Sequence, residues 1–443
     1  MEFLQPYANQ LQQSISKSDI ISVFNNLLTV SVEMGASDIH IEPFETYCRI
    51  RIRIDGILYV LVTYPKQLHE NIIAKFKIES GQMRPDEKRI PQDARVSSMT
   101  TTNKEVDLRA NTLPCVRWEK LVMRIVDKSK KIPTMDTLGI EWTNAKILTR
   151  NLKYPNWIIL TTWPTGSGKT NTLYACLDRL NKNTVNITTF EDPVESRIDS
   201  INQSQIRADI GFTFAQWLRS SLRQDPDIEM VWEIRDRETL ESAMEAAMTW
   251  HLVFSTIHTN SSAETITRMM NLWAKAYQIA GTFNLVMAQR LVRKLCPDCV
   301  IEKTPQTSDE IEIMQFAVEA LSTMTPEALK TELELRWVTA IQRQKFTTQK
   351  IMCHGSGQKD WAPCKTCWWT WYKGRVGIFE MMEYNDDLKD LLLQWKTAFE
   401  VEHHELRKGM INLERDGIFK SIKGYTSLEE IYRIVKHKQI SLG

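Results

Sequence analysis

WIILTTWPTGSGKTNTLYACLDRL, residues 157–180, carries three patterns in one run. Ile158–Leu160 is an apolar stretch of the kind that forms a buried strand. A loop with Gly166, Gly168 and Lys169-Thr170 follows. Leu173, Cys176, Leu177 and Leu180 then recur at helical spacing. A strand, a glycine-rich loop and a helix opening on Lys-Thr together form the context of a phosphate-binding loop. Pro164, Thr165, Gly166, Ser167 and Gly168 would offer backbone N–H groups to phosphate oxygens, and the helix N-terminus with Asn171 would extend the cradle. Lys169 would reach the β/γ-phosphates of a nucleotide, and the Thr170 hydroxyl would ligate Mg²⁺. The pattern G-x-x-x-x-G-K-[ST] asks for glycine at 163, where this chain has Trp163.

At 443 residues the chain has room for two or three domains, each with its own core. The 56 basic and 55 acidic residues balance, so bulk charge does not suggest a nucleic-acid or anionic-membrane surface. No apolar run approaches the ~20 residues of a membrane span. MEFLQPYANQ lacks a basic region followed by an apolar one, so a cytoplasmic location is expected. Glycine is unusually scarce, 16 residues or about 3.6%, against the usual ~7%. Tryptophan is nearly as common, with 14 residues, and the two together reach an ordinary glycine content.

The spacing predicts an amphipathic helix over 18–35, with Ile20, Ile21, Phe24, Leu27 and Leu28 on its apolar face and Gly35 closing it. SDIHIEP (37–43) reads as a strand. In 47–62, Cys48, Ile50, Ile52 and Ile54 alternate with Arg49, Arg51 and Arg53, and Asp55-Gly56 signals a type I′ hairpin. Three arginines on one sheet face repel unless water, an acidic partner or a phosphate neutralises them. KLVMRIV (120–126) ends a mixed region that we read as an α+β domain over 1–130, with 131–139 as linker. From 140 to 295 strands and helices alternate, as in a doubly wound α/β domain. Residues 300–360 read as an insertion, and 376–443 as a helical tail.

VNITTFEDPVE (185–195) is a strand running into acids, and DIEMVWEIRD (227–236) is a second strand ending at Glu233. A carboxylate at such a strand end, beside a phosphate loop, holds Mg²⁺ or orients the attacking water. Glu191 and Glu233 are both candidates for that base, and the residues alone leave the choice open. HLVFSTIHTNSS (251–262) is a third strand, flanked by His251 and His258. CPDC (296–299) and CKTC (364–367) are two thiolate pairs, each able to grip one side of a tetrahedral Zn²⁺. Cys353 and His354 lie between them as alternative ligands, and a redox C-x-x-C is the competing reading.

These segments together resemble the assembly ATPases of type II secretion systems and type IV pili, from about residue 18 to the C-terminus. SDIHIEP, RIRIDG, KRIPQDAR (88–95) and VDLRANTLP (106–114) match the family's second N-terminal domain. WPTGSGKTNTLYA matches its Walker A, TTFEDPVE (188–195) its Asp box, SLRQDPDIEMVWEIRD (221–236) its Walker B region and TWHLVFSTIHTN (249–260) its His box. QRLVRKLCPDC with CKTCWWTWYKGRVGIFE matches its tetracysteine motif, which the related retraction ATPases lack. The resemblance implies a RecA-like P-loop domain over 140–443, preceded by the small α+β domain and carrying a zinc subdomain at 296–375. It further implies ATP, Mg²⁺ and Zn²⁺ as ligands, the last held by Cys296, Cys299, Cys364 and Cys367. Glu233 would share Mg²⁺ with Thr170. His258 would sense the γ-phosphate, and His251 would support that edge. Arg51 and Arg53, with Arg109, would complete the phosphate site. The assembly implied is a homo-hexamer at the inner face of the cell membrane, working on a membrane platform protein, with no direct nucleic-acid partner. A non-catalytic ring subunit and a DNA-translocating motor are the alternatives.

The departures from the family pattern share one replacement. Trp118, Trp157, Trp163, Trp217, Trp232, Trp250, Trp369 and Trp371 stand where the family has glycine, and Trp273 and Trp368 extend the set. UGA codons read as tryptophan, in a gene whose source reads them as glycine, would produce this pattern.

Overall fold

The computed structural model describes residues 5–126, 132–162, 168–207, 216, 220–221, 223–303, 351–354, 364, 366–367 and 370–435. The chain divides into two compact units, Met1–Lys131 and Ile132–Gly443.

The first unit packs three helices on one antiparallel sheet. Helices α1 (Gln5–Ser16) and α2 (Ile20–Glu33) lead into β1 (Asp38–Pro43), β2 (Cys48–Ile54) and β3 (Ile57–Tyr64). Helix α3 (His69–Ser80) precedes β4 (Gln92–Met99), β5 (Glu105–Pro114) and β6 (Glu119–Val126). The strand order is β3-β2-β1-β6-β5-β4. Asp19 caps α2 by accepting from the Ser22 amide at 3.0 Å, and Gly35 follows its end at φ +67°. Asp55 and Gly56 both have positive φ, as a type I′ turn requires. The alternation in β2 sends Cys48, Ile50 and Ile52 into the core with Phe24, Leu27 and Leu28 of α2.

The second unit is built on a seven-stranded sheet. Its elements in chain order are α4 (Trp142–Asn151), β7 (Trp157–Thr162), α5 (Lys169–Leu180), β8 (Ile187–Glu191), β9 (Asn202–Gln205) and β10 (Ile228–Val231). Then come α6 (Arg237–Met248), β11 (Leu252–Ile257), α7 (Glu264–Asn271), α8 (Ala276–Thr282) and β12 (Phe283–Leu295). The order is β15-β12-β7-β11-β10-β8-β9, parallel except at the β15 edge, where β15 is Tyr372–Glu383. Both faces are covered: Ile158, Leu160, Val231 and Val253 enter one apolar cluster, while Ile159, Met230 and Phe254 enter another. This two-sided burial explains the continuous apolar runs of the sequence.

A short antiparallel pair, β13 (Val300–Lys303) with β14 (Ile351–His354), closes the ends of the predicted insertion. The helical tail expected from 376 needs correction. Residues 376–383 belong to β15, which pairs with β12 from Leu285↔Glu383 to Leu295↔Tyr372. An edge strand buried on both faces shows no alternation, so its period is illegible. Helices α9 (Asp386–Leu393), α10 (Ala398–Arg407), α11 (Leu413–Ile422) and α12 (Leu428–Ile434) follow. Buried groups tie this tail to the sheet: Lys420 pairs with Asp416 at 2.6 Å, and Asp416 accepts the Phe379 amide at 2.7 Å. Among the described residues no helix is long and apolar enough to cross a membrane.

Candidate functional site

The C-terminal ends of β7, β11, β10 and β8 lie side by side, and they carry the glycine-rich loop, His258, Glu233 and Glu191 in that order. The edge beyond the carboxyl ends of parallel strands is where open α/β sheets bind ligands. Trp163, Pro164, Thr165, Gly166 and Ser167 lie outside the described residues. Gly168 is described, with φ +84°, and a Cβ there would meet Leu291 at 3.2 Å and Gln289 at 3.4 Å. Only glycine suits both that angle and that space. Helix α5 opens with no side-chain cap and no acid in its first turn. Helices α2, α6, α9, α10, α11 and α12 are capped by Asp19, Asp236, Asn385, Thr397, Asn412 and Ser427, whereas α3, α4 and α7 share the missing side-chain cap of α5, so what marks α5 is its place after the glycine-rich loop at the carboxyl edge of the sheet. The leading amides of α5 therefore have no partner within the helix, and together with the helix dipole they favour an anion.

Lys169, the first residue of α5, lies with its Nζ 5.0 Å from the Trp232 ring centroid. Burial holds its ammonium below the usual lysine range, while the charges of Glu233 and Glu195 pull the other way. Thr170 is buried beside it and Asn171 is exposed. Glu233 stands two residues beyond β10 and is almost fully buried. Its carboxylate accepts from Arg235 Nε at 2.6 Å and lies 2.8 Å from His258 Nε2. The loop that carries His258 is stitched to the end of β7: the Thr162 hydroxyl donates to the Thr259 carbonyl and accepts the Thr259 amide, both at 3.0 Å. The structure thus brings Lys169, Glu233 and His258 together.

Glu191 has different surroundings. It is fully buried at the end of β8, three strands from β7, or roughly 14 Å at ordinary strand spacing. Its carboxylate accepts from the Tyr174 hydroxyl, from Thr189 at 2.7 Å and from Gln203 at 3.0 Å. Burial pushes its pKa above the usual carboxylate value, against the pull of these donors. His251 is not brought to the loop. It precedes β11, at the opposite end from His258, roughly 20 Å away along the strand. There its Nδ1 donates to the Ala246 carbonyl at 2.9 Å.

In the first unit, the arginine face of β2 finds acidic partners on β1. Arg49 and Arg51 bind Glu42 at 2.9 and 2.7 Å, joined by Lys120 at 3.2 Å. Asp38 lies 3.5 Å from Arg53 and 3.2 Å from Arg124. Burial alone would raise the Glu42 carboxyl, but Arg51, Arg49 and Lys120 outweigh it and lower it to about 2. Arg109 sits on β5, opposite Arg95 and Arg124.

Cys296, Cys299, Cys364 and Cys367 converge, all four sulfurs lying within 4.8 Å of one another. The Cys296–Cys364 and Cys299–Cys367 sulfur separations are 3.8 and 3.5 Å. A tetrahedron of Zn–S bonds near 2.3 Å places its sulfurs ~3.8 Å apart, so the cluster fits zinc. The 64-residue gap is closed because β12 and β15 are neighbours, so that Cys296 and Tyr372 leave adjacent strands. The side chains of Cys353 and His354 lie outside the described residues.

Tyr174, Gln203, Arg235 and Gln289 were not foreseen as parts of the site. Gln289 accepts from Thr172 of α5 at 2.7 Å and helps to wall Gly168. Its signal was legible as a buried amide inside the apolar run of β12.

Residues 13–433 match the family described as "Type II/IV secretion system protein". The chain is 39% identical over 418 residues to the type IV pilus assembly ATPase PilB of Acinetobacter baylyi, covering 94% of this chain and 66% of that one. It is 36% identical over 433 residues to type II secretion system protein E of Pseudomonas aeruginosa, covering 98% and 79%. Among solved structures, the Legionella pneumophila ATPase DotB superposes with a TM-score of 0.61 at 19% identity, covering 93% of this chain and 94% of that one. The chain spans about two thirds of the length of the pilus relative.

Proposed function

Given that the chain belongs to the type II/IV secretion system protein family, we propose that it is an ATP-hydrolysing motor for pilus assembly or type II protein secretion. The observation that carries this reading is the uncapped start of α5, with Lys169 in the field of Glu233 and Glu195. An anionic triphosphate, bound by the amides of 164–168 and by Lys169 and Asn171, supplies the charge that this site lacks. Thr170 and Glu233 hold Mg²⁺. Glu233 also orients water, because the Glu191 carboxylate is enclosed by its three donors. His258, beside Glu233, reads the γ-phosphate. Arg51, Arg53 and Arg109 are assigned to phosphate by the resemblance. Arg51 and Arg53 would have to exchange Glu42 and Asp38 for it. The four cysteines hold a structural Zn²⁺. The domain division 1–130, 131–139 and 140–443, the RecA-like character of the second part, a hexameric ring and a membrane platform partner belong to the same proposal.

The test is steady-state ATP hydrolysis by the chain carrying glycine at the family's glycine positions. Mg²⁺-dependent turnover is expected, and Lys169→Ala should lower it by at least ~10². A folded chain that binds no adenine nucleotide would leave the scaffold reading. Hydrolysis that rises on adding DNA and falls with salt would support the DNA-motor reading.

A further inference from the structure

Ten non-glycine residues have left-handed backbone angles among the described residues, and they fall into two classes. Ser18, Asp55, Asn103, Ser200 and Asp225 are small polar residues, most of a kind that tolerates this region. The other five are Trp157, Trp250, Trp273, Trp371 and Trp395, at φ between 58° and 95°. No leucine, valine, lysine or other large residue joins them. For a bulky side chain, positive φ is a true outlier, whereas glycine takes it freely.

Three of these tryptophans occupy one recurrent position. Trp250, Trp273 and Trp395 come immediately after the C-caps of α6, α7 and α9. At Trp273 the amide bonds to Met270 O and the Ala274 amide to Met269 O. At Trp395 the amide bonds to Leu392 O and the Lys396 amide to Leu391 O. These are the paired hydrogen bonds of a Schellman motif, whose left-handed residue is usually glycine. Gly35, Gly409 and Gly424 end α2, α10 and α11 with the same paired bonds. Gly35, Gly409, Gly424, Trp273 and Trp395 thus share one geometry, and at Trp250 the His251 amide bonds to Ala246 O at 3.3 Å, the outer bond of the same motif. The indoles gain nothing in exchange: Trp250, Trp273 and Trp395 are 75, 74 and 73% exposed.

We infer that the natural polypeptide carries glycine at 157, 250, 273, 371 and 395, through UGA codons that its source decodes as glycine. Position 395 matters most, because the family pattern did not flag it and the backbone does. The backbone argument stops at Trp118 and Trp232, whose φ values are not left-handed. The inference rests on main-chain geometry and is independent of any nucleotide chemistry.

Two measurements test it. Peptide masses of the protein isolated from its source cells should show glycine at 250, 273 and 395, with TGA at those codons. Tryptophan masses, or TGG codons, would overturn it. Separately, Trp250→Gly, Trp273→Gly and Trp395→Gly should be combined in the chain as written and compared with the three alanine substitutions. Alanine also removes the indole but keeps the Cβ. Glycine is expected to raise the melting temperature by several degrees beyond alanine. Equal melting of the two triple variants would show that the backbone is unstrained and would refute the inference.

Discussion

Exchanging each of the two rival carboxylates for its amide separates a structural role from a chemical one. In Glu191→Gln the side chain keeps its shape but loses its charge. One oxygen becomes an NH₂ that faces groups already donating: Tyr174, Thr189 and Gln203. The two hydroxyls can turn, whereas the Gln203 amide cannot accept through its nitrogen. Hydrogen bonds to a charged group contribute ~1.5–3 kcal/mol and neutral ones ~0.5–1.5, so a loss of roughly 2–4 kcal/mol is expected in this buried cluster. For a unit of this size, Ile132–Gly443, the melting temperature should fall by roughly 3–6 °C. In Glu233→Gln the lost partners are His258 and Arg235, whose side chains are 43 and 61% exposed. Glu233 itself is almost fully buried, but both partners reach water and the amide removes a buried charge, so stability should change by less than in Glu191→Gln. Hydrolysis should nevertheless fall by ~10²–10³, because the displaced charge acts on Lys169 and, in the proposed function, would hold Mg²⁺. The assay pairs thermal melting with Mg²⁺-ATP turnover at saturating nucleotide, on the glycine form of the chain. A Glu191→Gln protein that melts like the parent but no longer hydrolyses ATP would reverse the assignment.

The remaining expectations concern the other clusters. Glu42 has its folded pKa lowered to about 2 from 4.5, so the stability it contributes is present above pH 4.5 and is lost as pH falls towards 2. Acid unfolding of the first unit should therefore begin in that window, and Glu42→Gln should flatten it when followed by circular dichroism. Cys364→Ser leaves three thiolates, and metal analysis should then drop from about one zinc per chain to a small fraction. Full retention of zinc by that variant would exclude Cys364 as a ligand.

Much of the site was legible because its chemistry is local in sequence. The phosphate loop, the Lys-Thr pair and the strand-ending acids occupy short segments, and their residue types follow from what they bind. The arginine alternation on β2 was equally plain, but its meaning was not. Glu42 and Asp38 neutralise it from the neighbouring strand, and pairing across a sheet leaves no trace in spacing. The same limit explains β15. Residues 376–382 are all buried and mostly apolar, a run that periodicity reads as readily in a helix as in a strand. His251 shows a further limit, since two histidines flanking one strand look equivalent until the strand's direction puts them at opposite ends.

By itself, then, the order of residues determined that a glycine-rich loop joins a buried strand to a helix, that carboxylates end the following strands and that thiolates come in pairs. Tertiary structure alone decided which carboxylate faces Lys169, how neighbouring strands bring two cysteine pairs 64 residues apart to one cluster and that tryptophan occupies left-handed backbone. The physical reason is that residue type and local period follow the chain. Strand order, burial and φ arise when distant segments pack, and each of those three decisions turned on one of them.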